Sequence, residues 1–139
     1  MDSDALRQLL LTTRRIALVG ASVNPARASN GVMSFLLTRG YDVIPVNPGH
    51  TGQSLHGQRI VASLDEAAPF DLVDLFRASR HVLAPVRDAI RLKARAVWMQ
   101  LGVVNEQAAE EARAAGLAVV MDRCPKIEWH RLGLPARVA

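Results

Sequence analysis

The residues best suited to chemistry lie in the stretch VVMDRCPKIEWHRL, residues 119–132, which contains the only cysteine of the chain. Cys124 follows an apolar run, and the flanking cations of Arg123 and Lys126 would favour its thiolate. His130 is the nearest base in the sequence. Three roles are open: disulfide exchange with a ligand, acyl transfer with His130 as the base, or packing as a small buried thiol.

A second candidate site is the loop VGASVNPARASNG at residues 19–31. Gly20 would let a ligand approach the backbone, and the amides of the following helix suit a phosphate. Ser22 and Ser29 add hydroxyl donors, and Arg27 adds a fixed positive charge. The spacing is not GxGxxG, and the P-loop signature is absent. An ordinary strand-to-helix turn therefore stays open beside phosphate binding.

The second apolar strand ends in Asn47 and Pro48 rather than in a carboxylate. A typical NAD site has an acidic residue about 20 residues beyond the first glycines, where it holds the ribose hydroxyls. Asp42 lies at the other end of this strand, which is the wrong end for such a contact. NAD is therefore disfavoured, whereas a nucleotide with a phosphorylated ribose remains open. The alternative is that Asn47 and Pro48 only end the strand and form a turn.

A third strand end carries Phe76 and Arg77. The Arg77 guanidinium can pair with a phosphate or stand as an ordinary surface charge. Asp74 lies within the same apolar strand, where it is either a buried residue with satisfied hydrogen bonds or part of the site lining. Asp71 is not an obvious acid/base partner, because the spacing on a strand points the two side chains to opposite faces.

These candidates follow apolar runs that predict strands. The runs cover residues 15–20, 41–48, 72–76, 96–100 and 117–122, with a shorter strand near Ile60. Gln100 closes the fourth main run, and Cys124 follows the fifth. Pro45 places the second strand at or near an edge of the sheet, because proline cannot donate to a strand ladder.

Helical patterns separate the strands. They cover residues 4–12, 31–40, 79–94 and 105–116, and a helical turn follows at 127–133. Ser3 and Asn105 are the predicted N-caps, and Pro85 falls in the first turns of its helix, where proline is tolerated. The alternation predicts one α/β domain over residues 1–139: a Rossmann-like, doubly wound parallel sheet of about five strands with helices on both faces. Ligands of such sheets bind beyond the carboxyl ends of the strands.

Composition narrows the function classes. The 17 Lys and Arg residues outnumber 13 Asp and Glu, and the net charge of +4 suits an anionic ligand. The basic helix at 79–94 could grip nucleic acid, but 4% aromatic residues offer no stacking platform, so a solvated face is favoured. No metal site is expected, because no Cys or His cluster has zinc spacing. With no signal peptide and no membrane span in the pattern, we expect a soluble, cytoplasmic protein.

The strand ends carry a family resemblance. The segments VGAS with NPARAS, GYDVIPVNP, DLVDLFR, VWMQLGVVNEQAAEEARAAGL and VVMDRCPKIEWHRL resemble the small, stand-alone CoA-binding proteins. That family is of Rossmann type and is similar to the CoA-binding domain of succinyl-CoA synthetase. The resemblance covers about residues 10–134 and implies coenzyme A as the ligand. We expect no ligase activity, because we expect residues 1–139 to form a single domain without a second one that carries a phosphorylated histidine. FRASRH is more basic than the family pattern.

The resemblance and the strand-end pattern place ten residues at a CoA site: Gly20, Ala21, Ser22, Arg27, Asn47, Pro48, Phe76, Arg77, Gln100 and Cys124. By resemblance, the first four would lie by the pyrophosphate, the next two by the adenosine, and the following three along the ligand. One hypothesis has Cys124 facing the pantetheine thiol.

The function expected is binding of CoA or an acyl-CoA by a non-catalytic binding or regulatory protein. The alternative is an enzyme that forms a thioester or a disulfide with CoA through Cys124. A homodimer or an unidentified protein partner is open, and neither nucleic acid nor a membrane is expected as a partner.

Overall fold

The computed structural model describes residues 1–137, and over these residues five parallel strands form the main sheet. The strands are, in chain order, β1 (Arg15–Val19), β2 (Asp42–Val46), β3 (Ser54–Leu55), β4 (Gln58–Arg59), β5 (Leu72–Leu75), β6 (Ala96–Met99) and β7 (Ala118–Val120). The main sheet has the order β2-β1-β5-β6-β7, and β3 pairs with β4 in a separate antiparallel hairpin. β5 and β6 are buried along their whole length, as is typical of parallel strands beneath helices.

Helices connect the strands and cover both faces of the sheet. Over residues 1–137 they are α1 (Ser3–Thr12), α2 (Ala28–Thr38), α3 (Leu64–Ala67), α4 (Leu83–Arg91), α5 (Glu106–Ala114) and α6 (Pro125–Arg131). Residues of α1, α2 and α6 share one core with Leu18 and Trp98. Residues of α3, α4 and α5 share the other core with Val73 and Val97. Because successive side chains of a strand point to opposite faces, each central strand serves both cores.

The predicted fold class is confirmed by this arrangement. β2 is an edge strand, as Pro45 predicts. Asn105 caps α5, where its Oδ1 accepts a hydrogen bond of 2.9 Å from the amide of Ala108. Pro85 lies in the first turn of α4, where its missing N–H breaks no helical bond.

Some predicted boundaries are corrected by local hydrogen bonding. Asp2, not Ser3, caps α1, because the Asp2 Oδ1 accepts a bond of 2.8 Å from the amide of Ala5. α2 begins at Ala28 rather than at Gly31, so the end of the predicted loop is already helical. The predicted strand at 117–122 is shorter, and the last helix begins earlier than 127.

The predicted helix at 79–94 is divided. Ser79–His81 forms a 3₁₀ turn, α4 follows, and Lys93 has a left-handed φ of 66° that prevents the helix from continuing. The short strand predicted near Ile60 is the β3–β4 hairpin instead, followed by a single parallel bridge from Val61 to β2.

Gly20 joins β1 to its neighbours at the carboxyl edge of the sheet. Its amide donates to the Val46 carbonyl at 2.9 Å, and the Phe76 amide donates to the Val19 carbonyl at 2.9 Å. Gly20 has a φ of +87°, and a Cβ added there would lie 2.1 Å from the carbonyl oxygen of Phe76. The backbones of β1 and β5 therefore approach as closely as they do because this residue has no side chain.

We expect Gly20→Ala to lower the free energy of unfolding by more than about 2 kcal/mol, because it combines left-handed strain with a clash against backbone. Gly31→Ala is the matched control: Gly31 is exposed within α2 and has open space around it. That change should raise stability by about 0.5–1 kcal/mol. Urea unfolding followed by circular dichroism measures both, and equal stability of Gly20→Ala and the wild type would contradict the constraint.

Candidate ligand-binding cleft

A cleft opens at the carboxyl edge of the sheet, with a volume of about 670 Å³. That volume lies within the range of small-molecule and cofactor sites, roughly 300–1,000 Å³. Residues that follow all five strands of the main sheet line it. The chain passes from β1 to β2 on one side and returns to β5 on the other, and such a switch in direction is where parallel sheets open a crevice for ligands.

Eight of the ten predicted site residues line this cleft: Gly20, Ser22, Arg27, Asn47, Phe76, Arg77, Gln100 and Cys124. The other two do not. Ala21 is fully buried, and Pro48 begins a 3₁₀ turn at the surface. The contact of each residue with CoA stays a prediction.

The loop between β1 and α2 forms one wall. The Ser22 hydroxyl oxygen accepts a bond of 3.1 Å from the amide of Asn24, and the Ser22 carbonyl accepts one of 3.0 Å from Asn30 Nδ2. Arg27 precedes the first turn of α2, and within the described chain no side chain caps that end of the helix. The positive end of the helix and the Arg27 side chain therefore border the same wall, which favours an anion there.

Asn47 ties the end of β2 to the end of β1. Its Nδ2 donates to the Ala21 carbonyl at 2.8 Å, and its Oδ1 accepts from the amide of Gly49 at 2.9 Å. Both groups of the amide thus hold backbone in place. Asn47 therefore lines the cleft as part of a hydrogen-bonded rim.

A buried polar pair lies at the floor of the cleft. Asp74 in β5 is fully buried, and Gln100, which follows β6 and lines the cleft, is 5% exposed. With its amide nitrogen toward the carboxylate, Gln100 Nε2 lies 2.7 Å from Asp74 Oδ1 and 3.2 Å from Oδ2. Of the two roles that the sequence left open for Asp74, the structure shows the buried, hydrogen-bonded one. Asp74 itself does not line the cleft, and its carboxyl group is placed to orient the Gln100 side chain, which does.

Cys124 lines the opposite end of the cleft from Asn47 and is partly exposed. The two cations beside it in sequence are held by other groups. The Arg123 guanidinium forms an ion pair with Glu128, and the Lys126 ammonium lies 5.9 Å from the centroid of the Phe35 ring.

His130 is not brought to Cys124. It is exposed on α6, its ring centroid lies 5.6 Å from that of Phe35, and it does not line the cleft. The geometry therefore adds no support to acyl transfer with His130 as the base.

Some cleft residues were not predicted from the sequence, because they lie beyond the ends of the strands. His50 closes the 3₁₀ turn after β2, and Ile127 lies in the first turn of α6. The spacing of three residues between Cys124 and Ile127 could have indicated a shared face of the last helix. No signal in the sequence distinguishes His50.

Residues 1–137 meet neither the requirements of a metal site nor those of a membrane-spanning helix. Among them, no three His, Cys, Asp or Glu side chains are grouped so as to hold a metal ion. Within the same range, every helix is too short or too polar to cross a membrane.

Residues 14–130 match the family described as the CoA binding domain. The chain belongs to this family. The uncharacterized protein YneT of Bacillus subtilis (strain 168) is 36% identical over 123 residues, which cover 88% of this chain and 90% of YneT. The family gives the chain a CoA-related role.

Solved structures share the fold. A hypothetical protein from Pyrococcus horikoshii OT3 is 38% identical and has a TM-score of 0.89, over 95% of this chain and 92% of that one. The dinucleotide forming acetyl-coenzyme A synthetase 1 of Ca. Korarchaeum cryptofilum, solved with phosphate and ADP, is 24% identical. It has a TM-score of 0.70 over 84% of this chain and 27% of that one. At this identity, the second likeness shows the fold alone.

Asp74 should make stability depend on pH. Burial raises the pKa of its carboxyl well above the ordinary value. The wild type therefore loses stability as the pH rises from the unfolded-state pKa, about 3.9, towards the folded-state pKa. Asp74→Asn removes this loss. The free energy of unfolding of the variant minus that of the wild type should rise by up to about 1.4 kcal/mol per pH unit in that window.

Urea unfolding from pH 3 to pH 8 measures this difference. Asp65→Asn is a control of opposite sign, because hydrogen bonds of 2.8 and 2.9 Å from Arg91 lower the pKa of the exposed Asp65 carboxyl. The free energy of unfolding of Asp65→Asn minus that of the wild type should fall slightly as the pH rises towards about 3.9. A difference for Asp74→Asn that is constant over the whole range would show that its burial carries no cost.

Proposed function

We propose that the cleft binds coenzyme A or an acyl-CoA and that the protein serves as a binding or regulatory protein without catalysing a reaction on it. The observation that carries the proposal is the convergence of anion-binding features around one cleft in a chain of the CoA binding domain family. These features are the close backbone at Gly20, the uncapped start of α2, and the side chains of Arg27 and Arg77. CoA carries a pyrophosphate and a ribose phosphate, which are the anions that such features bind.

The order of the strands supports one direction for the ligand. The pyrophosphate would lie at the β1–α2 loop, with the adenosine towards Asn47 and His50 at the end of β2. The pantetheine arm would then cross the ends of β5 and β6, past Gln100, towards Cys124. The cleft is lined along this whole path.

The separation of the nearby histidines from Cys124 favours a non-catalytic role. His50 lines the cleft at the β2 end, whereas Cys124 lines it at the β7 end. These strands lie at opposite edges of the sheet, four strand spacings or about 19 Å apart. His130 packs against Phe35 instead. A regulatory protein of this kind would bind a protein partner, or a second copy of itself, in a CoA-dependent way, which a pull-down with and without CoA tests.

We expect CoA to bind reversibly, giving a mass gain in native mass spectrometry that disappears on denaturation. Arg27→Ala and Arg77→Ala should each weaken CoA binding about tenfold or more, because each removes a charge-assisted contact to phosphate. Isothermal titration calorimetry measures the change in Kd.

The charge-matched control is Arg113→Ala. Arg113 is exposed on α5 and does not line the cleft, so its loss should leave the Kd for CoA unchanged. Equal weakening by all three variants would indicate a general charge effect. Binding of NAD or ATP with no binding of CoA would overturn the proposal.

Disulfide exchange with CoA is a second candidate, because Cys124 is partly exposed and lines the same cleft. Its thiolate would attack one sulfur of a CoA disulfide. The Cys124 sulfur then forms the new bond to CoA, and the other half of the disulfide leaves as a thiolate.

Incubation with CoA disulfide should give an adduct that survives denaturation and is removed by reductant, as seen by intact mass. Cys124→Ser should give no adduct while it keeps reversible CoA binding. An unchanged adduct in this variant, or none in the wild type, would refute the exchange.

A further inference from the structure

The two ends of the cleft differ in polarity. Ser22, Arg27 and Asn47 line the end formed by β1 and β2, whereas Leu101 and Ile127 line the end formed by β6 and α6. A ligand that spans the cleft therefore meets charge and hydrogen bonds at one end and an apolar wall at the other.

Leu101 and Ile127 are unusually exposed for their type. Their side chains are 62% and 55% exposed, the highest values among the large apolar residues of the described chain. A single exposed leucine needs no explanation. Two exposed apolar side chains that line one cleft, however, offer apolar surface to a ligand that enters it.

Hydrogen bonds hold Leu101 in this position. The next amide, that of Gly102, donates to Asp122 Oδ1 at 2.6 Å, and the amide of Val104 donates to the Ser79 hydroxyl at 2.9 Å. Asp122 makes its bond from a left-handed φ of 60°, a conformation of some strain for a residue with a side chain. Two backbone amides thus tie this loop to its neighbours, which fixes the position of the Leu101 backbone beside the cleft.

The orientation of α6 holds Ile127 outward. The next two residues, Glu128 and Trp129, are 4% and 2% exposed. Glu128 Oε2 accepts from Arg131 Nε at 2.6 Å, and the Trp129 indole nitrogen donates to the Pro135 carbonyl at 3.0 Å. Rotating α6 to bury Ile127 would expose both of these side chains and break their bonds.

We propose that Leu101 and Ile127 form a subsite for an apolar acyl chain, so that the preferred ligand is an acyl-CoA with an uncharged aliphatic acyl group rather than free CoA. This inference rests on the proposed function, and in particular on the pantetheine arm pointing towards Cys124. The thioester then lies beside Ile127, which is one helical turn from Cys124. The acyl chain continues over the Leu101 side chain. The subsite needs no movement of the protein, because both side chains already face the cleft.

The test is calorimetric titration with CoA, acetyl-CoA, hexanoyl-CoA and succinyl-CoA. Full burial of one methylene group strengthens binding about fourfold, and a half-open cleft gains about half of that free energy. Hexanoyl-CoA should therefore bind roughly tenfold tighter than acetyl-CoA. Succinyl-CoA should gain nothing, because its terminal carboxylate would lose hydration against an apolar wall.

The variant Leu101→Ser/Ile127→Ser should lose the preference for hexanoyl-CoA, so that its Kd values for acetyl-CoA and hexanoyl-CoA lie within about twofold of each other. Val104→Ser is the matched control: Val104 is 44% exposed in the same loop but does not line the cleft, so the preference should remain. Should the double variant fail to fold, Leu101→Ser alone tests the wall, since this side chain is the most exposed of the set.

Equal Kd values for acetyl-CoA and hexanoyl-CoA in the wild type, with CoA still bound, would overturn the subsite and leave the proposed function intact. Failure of every CoA compound to bind would overturn both. A wild-type dimer in analytical ultracentrifugation that the double variant converts to a monomer, without a preference for hexanoyl-CoA, would assign the apolar wall to a second copy of the chain.

Discussion

The contact between Gly20 and the carbonyl of Phe76 is the constraint on which the cleft depends. It brings the carboxyl ends of β1 and β5 together at the point where the strand order changes direction. Two walls of the cleft begin at that edge. The β1–α2 loop follows Gly20, and the loop that contains Arg77 follows Phe76. A side chain at Gly20 would push these two walls apart before it met any ligand.

The buried pair of Asp74 and Gln100 sets the floor of the same cleft. A carboxyl group without exposure costs stability unless it is hydrogen-bonded, and the amide of Gln100 supplies that bond. The hydrogen bond offsets part of this cost, so the protein tolerates a buried acid directly beneath a residue that lines the cleft. Such a pair gives a side chain at the floor a single orientation, which a leucine in place of Asp74 could not do.

Local patterns were sufficient to predict most elements but not all of their ends. Apolar runs located the five main strands, and Asn105 located the start of α5. The start of α1 was misplaced by one residue because Asp2 and Ser3 are both good caps, and only the backbone geometry selects between them. The helix predicted at 79–94 is divided: the 3₁₀ turn before α4 is held through Ser79 by hydrogen bonds from Val104 and Asn105, and Lys93 has a left-handed φ.

By itself, the sequence determined the α/β alternation, the strand ends at which candidate residues stand, and the motifs of a CoA-binding family. These depend on residues close together in the chain. Only the tertiary structure decided which candidates meet. It placed Cys124 in the cleft and His130 outside it, and it set Leu101 and Ile127 on one wall. The physical reason is the burial of Trp129 and Glu128, which fixes how α6 is turned, and helical rotation cannot be read from a short helix alone.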